Sequence, residues 1–510
     1  MQNIFYIEKD KKNLNKLLKN LKFKKKIISL AHGVFDVIHL GHLEHLNQAK
    51  STCDVLFVSI TIDNYVRKGP GRPYFKAIQR AQMLLGLACV DYVIINNKPT
   101  AVDLLSMVKP NFYVKGPDYR NKNNDITKNI YKEEKILKKN YGKIYFTTGD
   151  TFSSSNIINL TTEVFSEKLK KIINEVKNKF NFENFVKGIN KIKKKKILII
   201  GETIIDQYNY VKYLDKAGKE DLIATSYLNK KTFYGGALAT LKHLSEFSDK
   251  IDLITLVGKD FSKSKFFSLT KLNKKKIKIH DIVDEKFNTI LKERYINEVN
   301  LKKIFEVYKF NSQDISSKNR KKLNKIIKNK IKQYDLVIVA DYGHGFIDES
   351  TIKLLNGAKF LSVNTQTNAG NRGFNLINKY KKTNYCCVDL PEAKLATSIN
   401  SDKHDILFKK LSKTVKTDFF TISLGKKGCA LVGKNNKIIE VPAFNERPID
   451  TMGAGDAFLL ISTILFYLGY DTKTTGLISN LYASIKIKIV GHEEVIKKNE
   501  FLKSLMYILK

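Results

Sequence analysis

The chain has 510 residues, 43% of them apolar, which is enough for two or three domains with separate cores. Basic residues outnumber acidic ones by 90 to 50, a formal charge of +40, yet only eight of the 90 are Arg and the lysines run through the whole chain. That spread reads as the codon usage of an A/T-rich genome and weighs against a dedicated nucleic-acid face, and no apolar run reaches the ~18 residues of a helical membrane span.

Residues 1–26 are Lys-rich, lack an export-type apolar core and read as a helical lead-in. The five cysteines (Cys53, Cys89, Cys386, Cys387, Cys429) show no metal-ligand spacing, so a reduced, cytoplasmic protein without zinc is expected.

From 27 to 160 short apolar runs alternate with amphipathic segments, as a doubly wound parallel sheet requires. Strands are expected at Ile27–Ala31, Asp54–Ile60, Tyr92–Ile95, Phe112–Val114 and Lys143–Phe146. Between the first strand and a helix at Leu43–Lys50 lies His32-Gly33-Val34-Phe35-Asp36-Val37-Ile38-His39-Leu40-Gly41-His42, and four of the nine histidines fall between His32 and His45. A strand, a Gly-containing turn and a helix N-terminus make an anion site. Imidazole N–H groups there can stabilise charge that builds when the α-phosphate of a nucleoside triphosphate is attacked. Lys68 and Arg72 follow in a basic loop, Lys115 lies in Val114-Lys115-Gly116-Pro117-Asp118-Tyr119, and Ser154 and Ser155 precede Asn156-Ile157-Ile158. Taken alone, these later pieces are also what solvated loops and helix caps look like.

Residues 161–195 are read as a helical linker, and 196–510 as a second α/β domain opening on Ile197-Leu198-Ile199-Ile200-Gly201. Near its end Asp450-Thr451-Met452-Gly453-Ala454-Gly455-Asp456 precedes a long apolar helix. Small residues at a helix start leave backbone N–H groups for a phosphoryl group, and a carboxylate there can take a proton from an attacking hydroxyl.

The first block resembles the HxGH nucleotidyltransferases of the cytidylyltransferase-like group. In order, its segments are similar to the adenylyltransferase half of the bifunctional heptose 7-phosphate kinase / heptose 1-phosphate adenylyltransferases. The resemblance implies a Rossmann-like fold in which His39 and His42 stabilise the transition state. Gly33, Phe35, Asp36, Gly41, Lys68, Arg72, Lys115, Ser154 and Ser155 would bind nucleotide, phosphate or sugar phosphate. The second block resembles the PfkB/ribokinase sugar kinases, implying a ribokinase-like α/β fold with a small β lid, expected at Leu222–Phe233 and near Asn288–Phe310. By that resemblance Asp456 is the base, Gly453, Ala454 and Gly455 form the anion hole, and Gly425 and Gly428 shape the ATP side. Asp206, Gly235, Gly236 and Asp341 would bind substrate, and Glu392 would hold Mg²⁺ indirectly.

Four positions depart from these patterns: Ile78-Gln79 replaces a Glu ahead of Arg80, Ala239 replaces an Asn, His344 replaces a Lys, and Asp389-Leu390-Pro391-Glu392 keeps only the Glu of its segment. Lost polar contacts in a sugar pocket change which substrate fits. The expectation is a bifunctional enzyme in the reverse of the usual domain order. It would use Mg²⁺, ATP as phosphoryl donor and ATP or CTP as nucleotidyl donor, and act on sugar phosphates toward a nucleotide-activated sugar for surface polysaccharide; no specific nucleic acid and no membrane partner is expected, and a homodimer is. The alternatives are a cytidylyltransferase for a polyol or other sugar phosphate fused to a kinase, a protein whose kinase half only supports assembly, and a nucleic-acid-binding protein.

Overall fold

The computed structural model describes residues 3–120, 129–148, 165–216, 222–286, 288–310, 314–444 and 447–509. Ser154 and Ser155 lie outside them. The chain divides into one unit of Met1–Phe165 with Asn499–Lys510 and another of Ser166–Lys498.

The first unit is built on a six-stranded sheet in the order Ile4–Tyr6, Tyr92–Asn96, Val55–Thr61, Ile28–Gly33, Phe112–Lys115, Lys143–Phe146. Every neighbouring pair is parallel. Its strands are nearly continuous Val, Ile, Leu and Phe because helices cover both faces. One face packs Leu46, Ala49, Ala81 and Leu84, and the other Leu14, Leu18, Leu104 and Leu105. The reading of residues 1–26 as a helical lead-in needs correction. Lys11–Phe23 is a helix, but Ile4–Tyr6 is a strand paired with Tyr92–Asn96. Three apolar residues among lysines carry no visible period, and the free edge of the sheet supplies the pairing that propensity does not.

In the second unit seven strands run parallel in the order Ile277–Asp284, Lys250–Gly258, Lys196–Lys216, Leu336–Asp341, Leu361–Thr365, Tyr385–Asp389, Phe419–Ser423, followed by Cys429–Val432 and Ile438–Val441 antiparallel. Lys196–Lys216 belongs to two sheets. Up to Glu202 it pairs within the main sheet, and from Thr203 it pairs antiparallel with Ile223–Gly236. Ile204–Val211 also pairs with Ile290–Asn297, which carries Lys303–Lys309. This second sheet occupies the segments expected to form a lid. The expected linker holds two helices, Glu167–Lys177 and Phe182–Ile192, whose buried stripes belong to this unit, with Phe185 against Tyr470 at 5.6 Å between ring centres. The last helix, Lys498–Ile508, read as kinase sequence, groups from Asn499 onward with the first unit. Among the described residues no helix is long and apolar enough to cross a membrane.

Candidate active sites

In the first unit the strand Ile28–Gly33 ends at a tight loop before the helix Leu40–Lys50. Phe35 takes a left-handed φ of +48°, and its ring lies 2.9 Å from where a Cβ on Gly33 would stand, so only glycine fits there. His39 caps the helix, with Gly41 and His42 in the first turn, and the two imidazoles stack at 3.9 Å and 27°. His42 also meets Phe35 at 5.2 Å.

Asp36 is buried and accepts from the backbone N–H groups of Tyr74 (2.8 Å) and Phe75 (3.0 Å), which ties the histidine loop to the basic loop. Arg72 is also buried, where the negative charge of Asp36 partly offsets the desolvation that lowers its pKa. Arg80, 0% exposed, knits the loops together: it donates to the carbonyls of Phe75, Val34 and Thr61 and pairs with Asp63 at 2.6 Å. Asp63 is the carboxylate that meets Arg80 here. Gln79 takes a different job, accepting from the Lys76 N–H at the helix start.

Burial holds the histidine pKa values down. His42 is pushed to about 3, helped by the charges of His39 and Lys68, while His32 and His45 fall to about 4. His39 is lowered too, by burial and then by Lys68. At neutral pH these rings are uncharged hydrogen-bond donors and acceptors, with Lys68 providing the positive charge beside His39 and His42. Lys115 was expected to contact phosphate or the sugar phosphate. It is buried, with its ammonium 2.8 Å from Glu133 and against the rings of Tyr113 and Tyr119. Burial works against its charge, but Tyr113 and Glu133 outweigh it and keep the ammonium protonated. An ammonium already neutralised in this way braces the site more readily than it binds a phosphate.

In the second unit Asp456 stands in the first turn of the helix Ala454–Tyr467, behind Gly453 at φ +73°. A Cβ on Gly453 would come within 2.4 Å of the His492 ring, and Gly455 faces open space. Asp456 accepts from Tyr342 Oη at 3.0 Å and Gln366 Nε2 at 2.9 Å. Burial raises its pKa, the two hydrogen bonds oppose that, and the charge of Asp206 adds to it. Asp206 is fixed by Arg294, with Gly235 so near that a Cβ would strike Asp206 Oδ2. Gly236, at φ +59°, turns the chain into the helix Ala237–Leu244, and Ala239 is buried in that helix. Gly425 and Gly428 bound a short turn after the strand Phe419–Ser423, both with positive φ.

Asp341 was expected to bind substrate. Its oxygens accept from Tyr380 Oη (2.6 Å), Lys379 Nζ (2.6 Å) and the Gly343 N–H (3.1 Å). His344, buried and lowered to about 4 by desolvation, donates its backbone N–H to Glu202 and packs on Phe310. Glu392 and Asp389 form a capping box at the start of the helix Leu390–Thr397, and burial with their mutual repulsion raises the Glu392 pKa.

Residues 194–497 match the family model described as pfkB family carbohydrate kinase. The chain belongs to the pfkB family of carbohydrate kinases. Residues 30–160 match the model described as cytidylyltransferase-like. The chain is similar to the bifunctional protein HldE of Helicobacter hepaticus, 39% identical over 158 residues, which is 30% of each chain. It is 42% identical over 117 residues to HldE of Campylobacter jejuni subsp. doylei, 22% of this chain and 25% of that protein. The chain thus spans less than a third of the length of these curated relatives. Among solved structures, phosphofructokinase-2 from Escherichia coli in complex with potassium overlays 62% of this chain with a TM-score of 0.49 and 11% identity.

Several residues of the pfkB unit's site escaped the sequence reading. Lys292 and Arg294 are two apart on the lid strand Ile290–Asn297, on one face, and both are buried. Lys486 is 0% exposed, its ammonium bonded to the carbonyls of Met452 (2.8 Å), Gly491 (2.6 Å) and Ile489 (3.4 Å). Lys242 donates to the His492 carbonyl at 2.6 Å. Asp450 collects Tyr208, Lys303, Met452 and Gly491 as donors, and stays ionised down to about 2 although burial opposes it. In a chain this rich in lysine, nothing marks Lys242, Lys292 or Lys486 until the fold buries them.

Proposed function

We propose that the chain is a bifunctional enzyme: its pfkB unit phosphorylates a sugar phosphate with ATP, and its cytidylyltransferase-like unit joins a nucleoside monophosphate to a sugar 1-phosphate. The observation that carries this reading is the presence in one chain of two assembled centres, the stacked His39–His42 pair beside Lys68 and the buried Asp456 at its helix start.

In the pfkB unit a sugar hydroxyl gives its proton to Asp456 Oδ while its oxygen bonds to the γ-phosphorus and ADP leaves. A carboxylate whose pKa is raised by burial is a better-matched base than an exposed one. The N-terminus of the helix Ala454–Tyr467 faces the negative charge of the transferring group. Asp206, held by Arg294, would take sugar hydroxyls. Lys292, buried and close enough for its charge to act on Asp206 and Asp456, supports an acceptor that carries its own phosphate.

In the transferase unit a phosphate oxygen of the sugar 1-phosphate bonds to the α-phosphorus, and the bond to the β-phosphate oxygen breaks to release pyrophosphate. Neutral His39 and His42 donate to the oxygens on which charge grows, and Lys68 adds a fixed positive charge. Heptose 7-phosphate and heptose 1-phosphate are the substrates proposed, with an ADP-heptose for surface polysaccharide as the product. The cytidylyltransferase-like match keeps CTP as the second reading for the donor.

Among the described residues no group of three or more His, Cys, Asp and Glu could hold a metal. Glu392 would hold a Mg²⁺ ion indirectly, through water, and such an ion would offset triphosphate charge. The second sheet exposes Tyr213, Tyr227, Phe305 and Val307, an apolar set that supports pairing with a second copy.

The test separates the two centres. His42→Asn should abolish pyrophosphate release and leave ADP formation intact, and Asp456→Asn should do the reverse. Loss of both activities in either variant would count against two independent centres.

A further inference from the structure

The helix Lys498–Ile508 follows the whole pfkB sequence, yet from Asn499 it belongs to the transferase unit. Its buried residues Phe501, Leu502, Leu505 and Ile508 recur at the spacing of one helical face. A second set, Glu500, Lys503, Ser504 and Tyr507, lies at i, i+3, i+4 and i+7.

The helix meets three consecutive residues of the basic loop. Glu500 pairs with Arg67 Nε at 3.5 Å, and Ser504 Oγ lies 3.5 Å from the Arg67 carbonyl. The Lys68 ammonium stands 5.5 Å from the centre of the Tyr507 ring. Gly69, at φ +101°, has the Ile508 side chain 3.4 Å from where a Cβ would be. Burial lowers His39 and His42 most, and the charge of Lys68 adds to both, while the charge of Lys503 reaches His32.

We propose that the helix Lys498–Ile508 is a working wall of the transferase site, in which Tyr507 is a positioning residue that holds Lys68 toward the triphosphate of the bound nucleotide. A flexible lysine gains orientation when an aromatic face holds its ammonium. This rests on reading the unit as a nucleotidyltransferase. It adds that the transferase sequence alone, ending before the pfkB unit, lacks part of its own nucleotide site.

The test uses the full chain with Tyr507→Leu, which removes the ring, and Tyr507→Phe, which keeps its face. Lys68 is acylated with an amine-reactive ester and the modification at that residue is read by peptide mass spectrometry across a titration of Mg-ATP or Mg-CTP. Nucleotide bound by the pfkB unit does not enter this local readout. Protection of Lys68 should need about tenfold more nucleotide in Tyr507→Leu than in the unchanged chain. In Tyr507→Phe it should return to within about twofold, as expected if the ring face does the holding. Pyrophosphate release should show the same rise in KM with little change in kcat, and phosphoryl transfer should be unaffected. Equal protection curves for Tyr507→Leu and the unchanged chain, or no protection by either nucleotide in the unchanged chain, would overturn the proposal. Protection that shifts as stated, with no pyrophosphate from any sugar phosphate, would uphold the positioning role and refute the assigned reaction instead.

Discussion

Tyr342 donates its hydroxyl hydrogen to Asp456 at 3.0 Å, joining the strand end at Leu336–Asp341 to the first turn of the helix Ala454–Tyr467. The bond favours the ionised carboxylate against the burial that disfavours it. Removing it with Tyr342→Phe should move the acid limb of the kinase pH profile upward, because Asp456 then takes up its proton at a higher pH. The rate at pH 8 should fall by only about tenfold, against a loss of about 10³ or more for Asp456→Asn. Steady-state rates between pH 5 and 9 check this.

The uncharged histidines of the transferase unit make a second prediction. His32, His42 and His45 should show no titration between pH 8 and 5.5 in proton NMR, since burial lowers them to about 4, about 3 and about 4. The unfolded chain takes up those protons near the ordinary value of about 6.5. Between that value and the folded ones the unfolded state binds more protons, so stability is full above pH 6.5 and falls as pH drops toward 4. Urea midpoints followed by the transferase signal should decline over that window and stay flat from pH 7 to 8.

Lys486 holds the carbonyl ahead of Gly453 and two more near His492. Lys486→Met keeps the volume of the stem and leaves those buried carbonyls without their donor, at a cost of about 1–3 kcal/mol each where no water replaces it. The kinase kcat should fall by about 10² or more while transferase activity persists. A variant with an unchanged kcat would show that the loop keeps its shape without the ammonium.

The charge of Lys292 acts on Asp206 and Asp456, and Arg294 pairs with Asp206. Lys292→Met should raise the KM for a phosphorylated sugar by about tenfold or more, leave the KM for ATP unchanged, and matter little for an unphosphorylated analogue. Parallel kinetics with the two acceptors decide the point.

Much of the architecture was legible in the chain. The apolar runs at Ile28, Val55, Tyr92 and Phe112 read as strands because a sheet covered on both faces needs unbroken apolar sequence. His39 and His42 stood out because histidine is scarce here, and Asp456 because Gly-Ala-Gly precedes it. Ile4–Tyr6 was not legible, since an edge strand of three residues has no period of its own. Lys115 and Asp341 were read as ligand contacts, and the fold gives each a partner of opposite charge that local sequence does not name, Glu133 and Lys379. The role of Asp63 beside Arg80 was hidden for the same reason, as the two are 17 residues apart and meet only when two loops close.

The most direct test of two linked activities is phosphorus NMR of the purified chain with Mg²⁺ and ATP, offered heptose 7-phosphate in one sample and heptose 1-phosphate in another. The account predicts a heptose bisphosphate with ADP in the first, and a nucleotide diphosphate sugar with pyrophosphate in the second. Pyrophosphate appearing only when CTP replaces ATP would select the cytidylyltransferase reading. Unchanged spectra with both nucleotides and both sugar phosphates would contradict the account.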